Sequence, residues 1–293
     1  MAHTRRAVVA GLALAGPALS ARASDRLAAA AGRIGALEAR LGGRVGVAFR
    51  DATGVFLGHR ADEAFALCST FKVLAAAAIL ARVAAGRETL DRRIAYGADD
   101  LQSYAPVTRS ALDAAGGGHA EMSVDGLCAA AIVRSDNTAA NLLLDALGGP
   151  AALTAWLRGQ GDAVTRLDRT EPTLNTALPG DPRDTTSPAA ITRTRDRCLL
   201  GDALAPPHRA RLEAWMVACE TGGAKLRAGL PPAWPVGDKT GSGDNATSNV
   251  VAILHPPGRA PILAGVFLTG SEAPPAARDA AHAEIGRILA EAV

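Results

Sequence analysis

The sequence is read as an α/β chain of the α+β kind. An antiparallel sheet of about five strands is flanked by helices and packed on a mostly helical lobe. Three observations predict this. Strand-like segments lie near the start, "RVGVAF" and "VFLGH", and again near the end, "WPVGDKTG", "SNVVAILH" and "PILAGVFLTG". Between them, residues 75–220 read as helix and loop. Amphipathic helical patterns bracket both sets of strands.

The first residues read as an export signal, residues 1–23. Arg5-Arg6 precedes an apolar run from Ala7 to Leu19 and a small-residue site ending at Ala23. That run is too short to span a bilayer. The twin arginine fits the route for folded proteins, and the general route stays open. The working chain is then residues 24–293, expected in the periplasm or secreted.

From Asp25 to Leu41, apolar Leu27, Ile34, Leu37 and Leu41 share a helix face. The two early strands flank "RDATG", a hairpin signal with Gly54 at its turn. Next, "FALCSTFKVLAAAAIL" reads as a buried helix opened by Ser69 and interrupted by Lys72. "SVDGLCAAAIVR" is a helix with Ser123 as N-cap, and "NTAANLLLDALGG" another, ended by Gly148-Gly149. Arg166 to Ser187 carries three prolines and many charges without sustained periodicity. It reads as a long packed loop, and such loops are commonly functional. A last helix covers residues 275–293. The expected division is an α/β lobe, residues 24–65 and 220–293, around an all-α lobe, residues 66–219. A ligand pocket is expected where the lobes meet.

Composition narrows the function. Hydrophobic residues make up 48% of the chain, which favours a packed globule over disorder. A net charge of +2 without a basic run argues against a nucleic-acid surface. Of 31 basic residues only three are lysine, Lys72, Lys225 and Lys239. A buried lysine can lose its proton, whereas arginine keeps its charge. The six histidines are scattered beside turn residues and are expected at the surface. Cys68, Cys128, Cys198 and Cys219 form no CxxC or Cys/His cluster, so no metal site and no cofactor are expected.

Four short motifs carry chemistry. Ser69 and Lys72, three apart, share a helix face. Ser69 would lie at the positive end of the helix dipole, and a desolvated Lys72 could accept its proton. Ser135-Asp136-Asn137 lies between two apolar helices and offers a hydroxyl for proton relay and an amide for a carbonyl. Lys239-Thr240-Gly241, followed by Ser242, ends a strand whose edge could pair with an extended substrate. Glu171 and Asn175 can share one water between carboxylate and amide, a hydrolytic base. Each alone also reads as a cap, a turn, an edge-strand lysine or a solvated acid.

Together, in this order, these motifs resemble the class A serine β-lactamases, whose S-x-x-K, S-D-N and K-T-G elements they match. "YAPVT" at Tyr104 to Thr108 and "PGDPRDTT" at the end of the loop extend the likeness over nearly all of the chain after the signal. The resemblance implies that Ser69 attacks a lactam carbonyl, with the backbone N–H groups of Ser69 and Ser242 holding the oxyanion. It leaves the acylation base as Lys72 or Glu171. Ser135 would protonate the departing nitrogen, held by Lys239. Asn137 would bind the substrate amide, Tyr104 would wall the mouth, and Glu171 with Asn175 would position the deacylating water. An Arg169–Asp184 pair would hold the loop. Thr240, Gly241 and Ser242 would face the substrate, with the two hydroxyls toward its carboxylate.

Some positions depart from the family pattern. Where many relatives carry an arginine for that carboxylate, this chain has Thr247, Ser248 and Asn249, so Lys225 is the expected substitute. Cys68 lacks a partner for the disulfide known in some relatives, because Gly243 stands there. Cys128 likewise faces Ala76, so buried free thiols are expected. The expected substrates are penicillins and cephalosporins, the latter suggested by Ser242 and Gly243. The expected form is a monomer that binds no nucleic acid and, once the signal is removed, no membrane. A penicillin-binding D,D-peptidase or a non-hydrolytic sensor is the alternative, and Glu171 argues against both.

Overall fold

The computed structural model describes residues 17–293. The expected signal falls largely on residues 1–16, outside the described residues. The helix read from Asp25 is longer than expected: α1 runs Pro17–Leu41. It is followed by β1 (Arg44–Asp51), β2 (Gly54–His59) and β3 (Phe65–Ala66). Then come α2 (Phe71–Ala84), β4 (Arg93–Gly97), α3 (Pro106–Ala114), β5 (His119–Ser123), α4 (Val124–Val133), α5 (Asn137–Leu147) and α6 (Pro150–Gly159). The chain closes with β6 (Thr185–Thr186), α7 (Pro188–Leu199), α8 (Pro206–Val217), β7 (Val236–Gly243), β8 (Thr247–Leu254), β9 (Ile262–Thr269) and α9 (Pro275–Ala292).

The early and late strands form one five-stranded antiparallel sheet in the order β2-β1-β9-β8-β7, as the sequence predicts. Its two faces belong to two hydrophobic clusters. On β8, Val251 and Ile253 face the helical cluster, while Val250, Ala252 and Leu254 face α1 and α9. This is the two-residue alternation of a strand. With helices on both faces, all eight residues of β8 and of β9 are buried. That explains their nearly continuous apolar sequence.

On the helical side, α2 is buried from Phe71 to Leu80. Its apolar character all round is that of a central helix and not of a surface one. Ser123 caps α4 by accepting from the Gly126 N–H, and α5 ends at Gly148.

Three readings need correction. The middle of the chain is not only helix and loop. β4 pairs with β5, and β3 with β6. These strands are short and partly exposed, so they leave no alternating apolar signal. Ser69 does not open an α-helix directly. It sits in a 3-10 turn, Cys68–Thr70, that leads into α2. Finally, His282 is not at the surface. It has no exposed area, because its face of α9 packs inward.

Candidate active site

A cavity of about 380 Å³ opens between the helical side and the sheet edge. Ser69, Tyr104, Ser135 and Asn137 line it from the helical side. Asn175 comes from the long loop, and Thr240, Gly241 and Ser242 from β7, the edge strand. Lys225 completes the wall. Lys72, Lys239 and Glu171 are buried, with at most 2% exposure. A larger groove of about 700 Å³ lies along the other side of the loop, against Arg44, Arg169 and Asp181, and none of the expected site residues lines it.

Local structure places each group. The Ser69 turn is held by the Thr70 hydroxyl, which donates to Leu67 O at 2.7 Å. Asn249 on β8 donates to Ala66 O and Leu67 O, tying the sheet to the same segment. Gly241 allows β7 to approach. A Cβ there would lie 3.0 Å from Leu67 O and 3.2 Å from Cys68 Cβ. Ser135 has a left-handed φ of 57°. Next to it, buried Asp136 caps α5 through Ala139 N and accepts from Val107 N and Thr108 N. This carboxylate joins the start of α3 to the start of α5 and fixes the turn that presents Ser135 and Asn137.

The polar centre is continuous. Ser69 Oγ donates to Glu171 Oε1 at 2.9 Å. Lys72 Nζ lies 3.0 Å from the same oxygen, 2.8 Å from Ser135 O and 2.6 Å from Asn137 Oδ1. Burial lowers the Lys72 pKa, and Glu171 opposes that shift. Lys239 Nζ donates to Ser135 Oγ at 2.8 Å and to Thr240 O at 2.7 Å. Burial, reinforced by the charge of Lys72, brings Lys239 down to about 7.

Glu171 is gripped from both sides. Asn175 Nδ2 donates to its Oε2 at 2.5 Å. Asn141 accepts from its backbone N–H and donates to its carbonyl, both at 2.9 Å. The base of the loop is closed by Asp184, which accepts from Arg169 Nε at 2.6 Å and from the N–H groups of Asp168 and Arg169. The expected Arg169–Asp184 pair is thus present. Asn175 Oδ1, the other end of the amide that holds Glu171, is buried without a protein partner.

All twelve site residues named from the sequence gather here. Lys225 does so with its charge already paired to Asp279 at 2.5 Å. Three contributors were missed. Thr221 lines the cavity, with Oγ1 2.6 Å from Thr240 Oγ1. Asn141 clamps Glu171, and its place one turn after Asn137 on α5 was a usable signal. Asp136 was read as part of a motif without a role of its own.

All four cysteines are buried and free. Burial pushes the thiols of Cys68, Cys128 and Cys198 up, the last to about 12. Such thiols are poor nucleophiles. Among the described residues, no cluster of His, Cys, Asp and Glu could hold a metal ion, and no helix is long and apolar enough to cross a membrane.

A family model described as the β-lactamase enzyme family matches residues 29–293. A β-lactamase of Streptomyces albus G is 46% identical over 263 residues, covering 88% of this chain and 83% of that protein. The β-lactamase CTX-M-8 of Citrobacter amalonaticus is 46% identical over 241 residues, covering 82% and 81%. Among solved structures, an ancestral class A β-lactamase is 57% identical with a TM-score of 0.87. That match covers 90% of this chain and 100% of the other.

Proposed function

The chain belongs to the β-lactamase enzyme family, as a class A serine β-lactamase, and on that premise we propose how it works and on what. It hydrolyses penicillins and cephalosporins through an acyl-enzyme on Ser69, deacylated by a water that Glu171 activates. The observation that carries this reading is the hydrogen bond from Ser69 Oγ to Glu171 Oε1, at the edge of a cavity and backed by Lys72.

Glu171 also takes the Ser69 proton during acylation. Lys72 has three acceptors within 3.0 Å, Ser135 O, Asn137 Oδ1 and Glu171 Oε1, and a fourth, Ser135 Oγ, at 3.4 Å. The three closest match the three N–H donors of an ammonium, the form of Lys72 that leaves Glu171 as the base. The ammonium then stabilises the negative charge that builds at the reacting centre. Ser135, held by Lys239, gives its proton to the lactam nitrogen as the ring opens and regains one from Glu171 through Lys72, which bridges the two, so that Glu171 is again a carboxylate. The backbone N–H groups of Ser69 and Ser242 hold the oxyanion. Glu171, steadied by Asn175 and Asn141, next removes a proton from the water that attacks the ester carbonyl. The Ser69 oxygen leaves with a proton and the ring-opened acid is released.

Lys225, Thr240 and Ser242 receive the substrate carboxylate. Tyr104 is half exposed and forms one wall of the mouth. The working enzyme is a monomer of residues 24–293, exported to the periplasm or medium after loss of residues 1–23.

The test mixes purified protein with a chromogenic β-lactam and follows intact mass. Many turnovers without a lasting adduct are expected. A stoichiometric, persistent adduct would replace this reading with a penicillin-binding or sensing role.

A further inference from the structure

Behind the cavity wall lies a polar cluster that the chemistry at Ser69 does not use. Lys225 Nζ donates to Ser248 Oγ at 2.7 Å and to Asp279 Oδ1 at 2.5 Å. Behind Ser248 sits His282, fully buried, with Nε2 3.2 Å from both Oγ and O of Ser248. A bare Nε2 accepts from the hydroxyl, and a protonated one donates to the carbonyl. Either tautomer ties the ring to Ser248 without a charge.

The elements that carry these groups are locked together. Asp279 and His282 lie three apart on α9, and so on one face. Lys225 precedes the 3-10 turn Leu226–Gly229. A Cβ at Gly229 would lie 1.7 Å from Ala283 O, and one at Gly286 would lie 2.5 Å from Leu226 O. No side chain fits at either place, so α9 and the turn meet backbone to backbone. The distance from α9 to Lys225 is therefore set by contact and not by flexible side chains.

An ammonium has three N–H donors. Two belong to Ser248 and Asp279, and Lys225 lines the cavity. The third is the donor left for a ligand. We propose that Ser248 and His282 are positioning residues that aim this third N–H at the carboxylate of a β-lactam substrate. The inference rests on the reading of Lys225 as the cation that meets that carboxylate. Asp279 stands beside the lysine as its counter-charge. Burial and the nearby lysine bring His282 down to about 3, so the ring stays neutral and does not repel its neighbour.

The test compares a penicillin with its methyl ester, which differs in lacking the negative charge. The readout is the acid-to-ester ratio of kcat/KM. Lys225→Met is expected to lower that ratio about tenfold or more, the value of one charge-assisted hydrogen bond. Ser248→Ala and His282→Leu are expected to lower it about threefold to tenfold, chiefly through KM. His282→Gln, whose amide can still bond Ser248, is expected to restore most of the loss. A fall with Lys225→Met but none with the other two variants would overturn the positioning role and leave the reading of Lys225 standing. No change with Lys225→Met would overturn both. Equal losses on acid and ester in the Ser248 and His282 variants would mark a structural role alone and overturn the proposal. If His282→Leu does not fold, Ser248→Ala decides the matter.

Discussion

Lys72 Nζ lies 3.0 Å from Glu171 Oε1, with neither side chain reaching solvent, and Ser69 Oγ bonds the same oxygen. One carboxylate oxygen therefore serves the nucleophile and the buried cation together. Removing Lys72 should slow acylation, whereas removing Glu171 should slow both halves of the reaction and deacylation the most.

Glu171→Ala removes the base for the attacking water. Turnover should fall about 10²–10⁴-fold, the usual worth of a positioned general base. The acyl-enzyme on Ser69 should accumulate, visible as a stable mass increase. Parental turnover in this variant would remove Glu171 from the mechanism.

Lys72→Met removes the cation and keeps most of the volume. It should slow acylation about 100-fold or more, as loss of preorganised charge at a reacting centre does. In contrast with Glu171→Ala, no adduct should build up. Mass spectra taken in the first seconds separate the two cases, and an adduct in the Lys72 variant would contradict the assignment.

Asp184→Asn weakens the clasp at the base of the loop that carries Glu171. Stability should drop by about 2–3 kcal/mol, less than for a fully buried pair because Arg169 keeps some access to water. Deacylation should slow more than acylation, since Glu171 and Asn175 both lie on that loop. Denaturant titration and pre-steady-state kinetics check the two effects.

His282 predicts a pH dependence of stability. Its pKa is lowered from 6.5 to about 3, so the folded state stays neutral where the unfolded chain binds a proton. The stability is complete above pH 6.5 and is lost as pH falls toward 3. The slope is about 1.4 kcal/mol per pH unit. Between about pH 6.5 and 4.5 this amounts to roughly 2–3 kcal/mol, which His282→Gln should not lose. Parallel stability curves for parent and variant would contradict the assignment.

The thiols give a simple check on packing. All four are buried, and each has a raised pKa with burial as the leading cause. A thiol reagent should find essentially none in the native protein and four after denaturation. Rapid native labelling would show an opening that the structure lacks.

Much of the fold was legible because its signals are local. The hairpin at Gly54, the Ser123 cap and the Gly148 stop each depend on a few adjacent residues, and each appears where read. The short strands β4 and β5 were not legible, since neither buries a full face. His282 was misread for a related reason. A lone histidine between small residues carries no periodic mark, and its burial is decided by β8 and the Leu226–Gly229 turn packing against α9.

For the site, the sequence by itself determined the residue types and their order, Ser69 and Lys72, Ser135 and Asn137, Glu171 and Asn175, Lys239 to Ser242. Those spacings reflect a single turn of chain or one strand edge, which sequence distance encodes. The tertiary structure alone decided which atoms meet. Glu171 lies 102 residues from Ser69, yet their side chains share a hydrogen bond. It also decided that Lys72 finds acceptors on Ser135, Asn137 and Glu171, that Asn141 holds the Glu171 backbone, and that Lys225 reaches the cavity already paired to Asp279. The physical reason is that burial and partner choice for a polar group depend on everything packed around it. Those neighbours come from distant segments that the order of residues does not name.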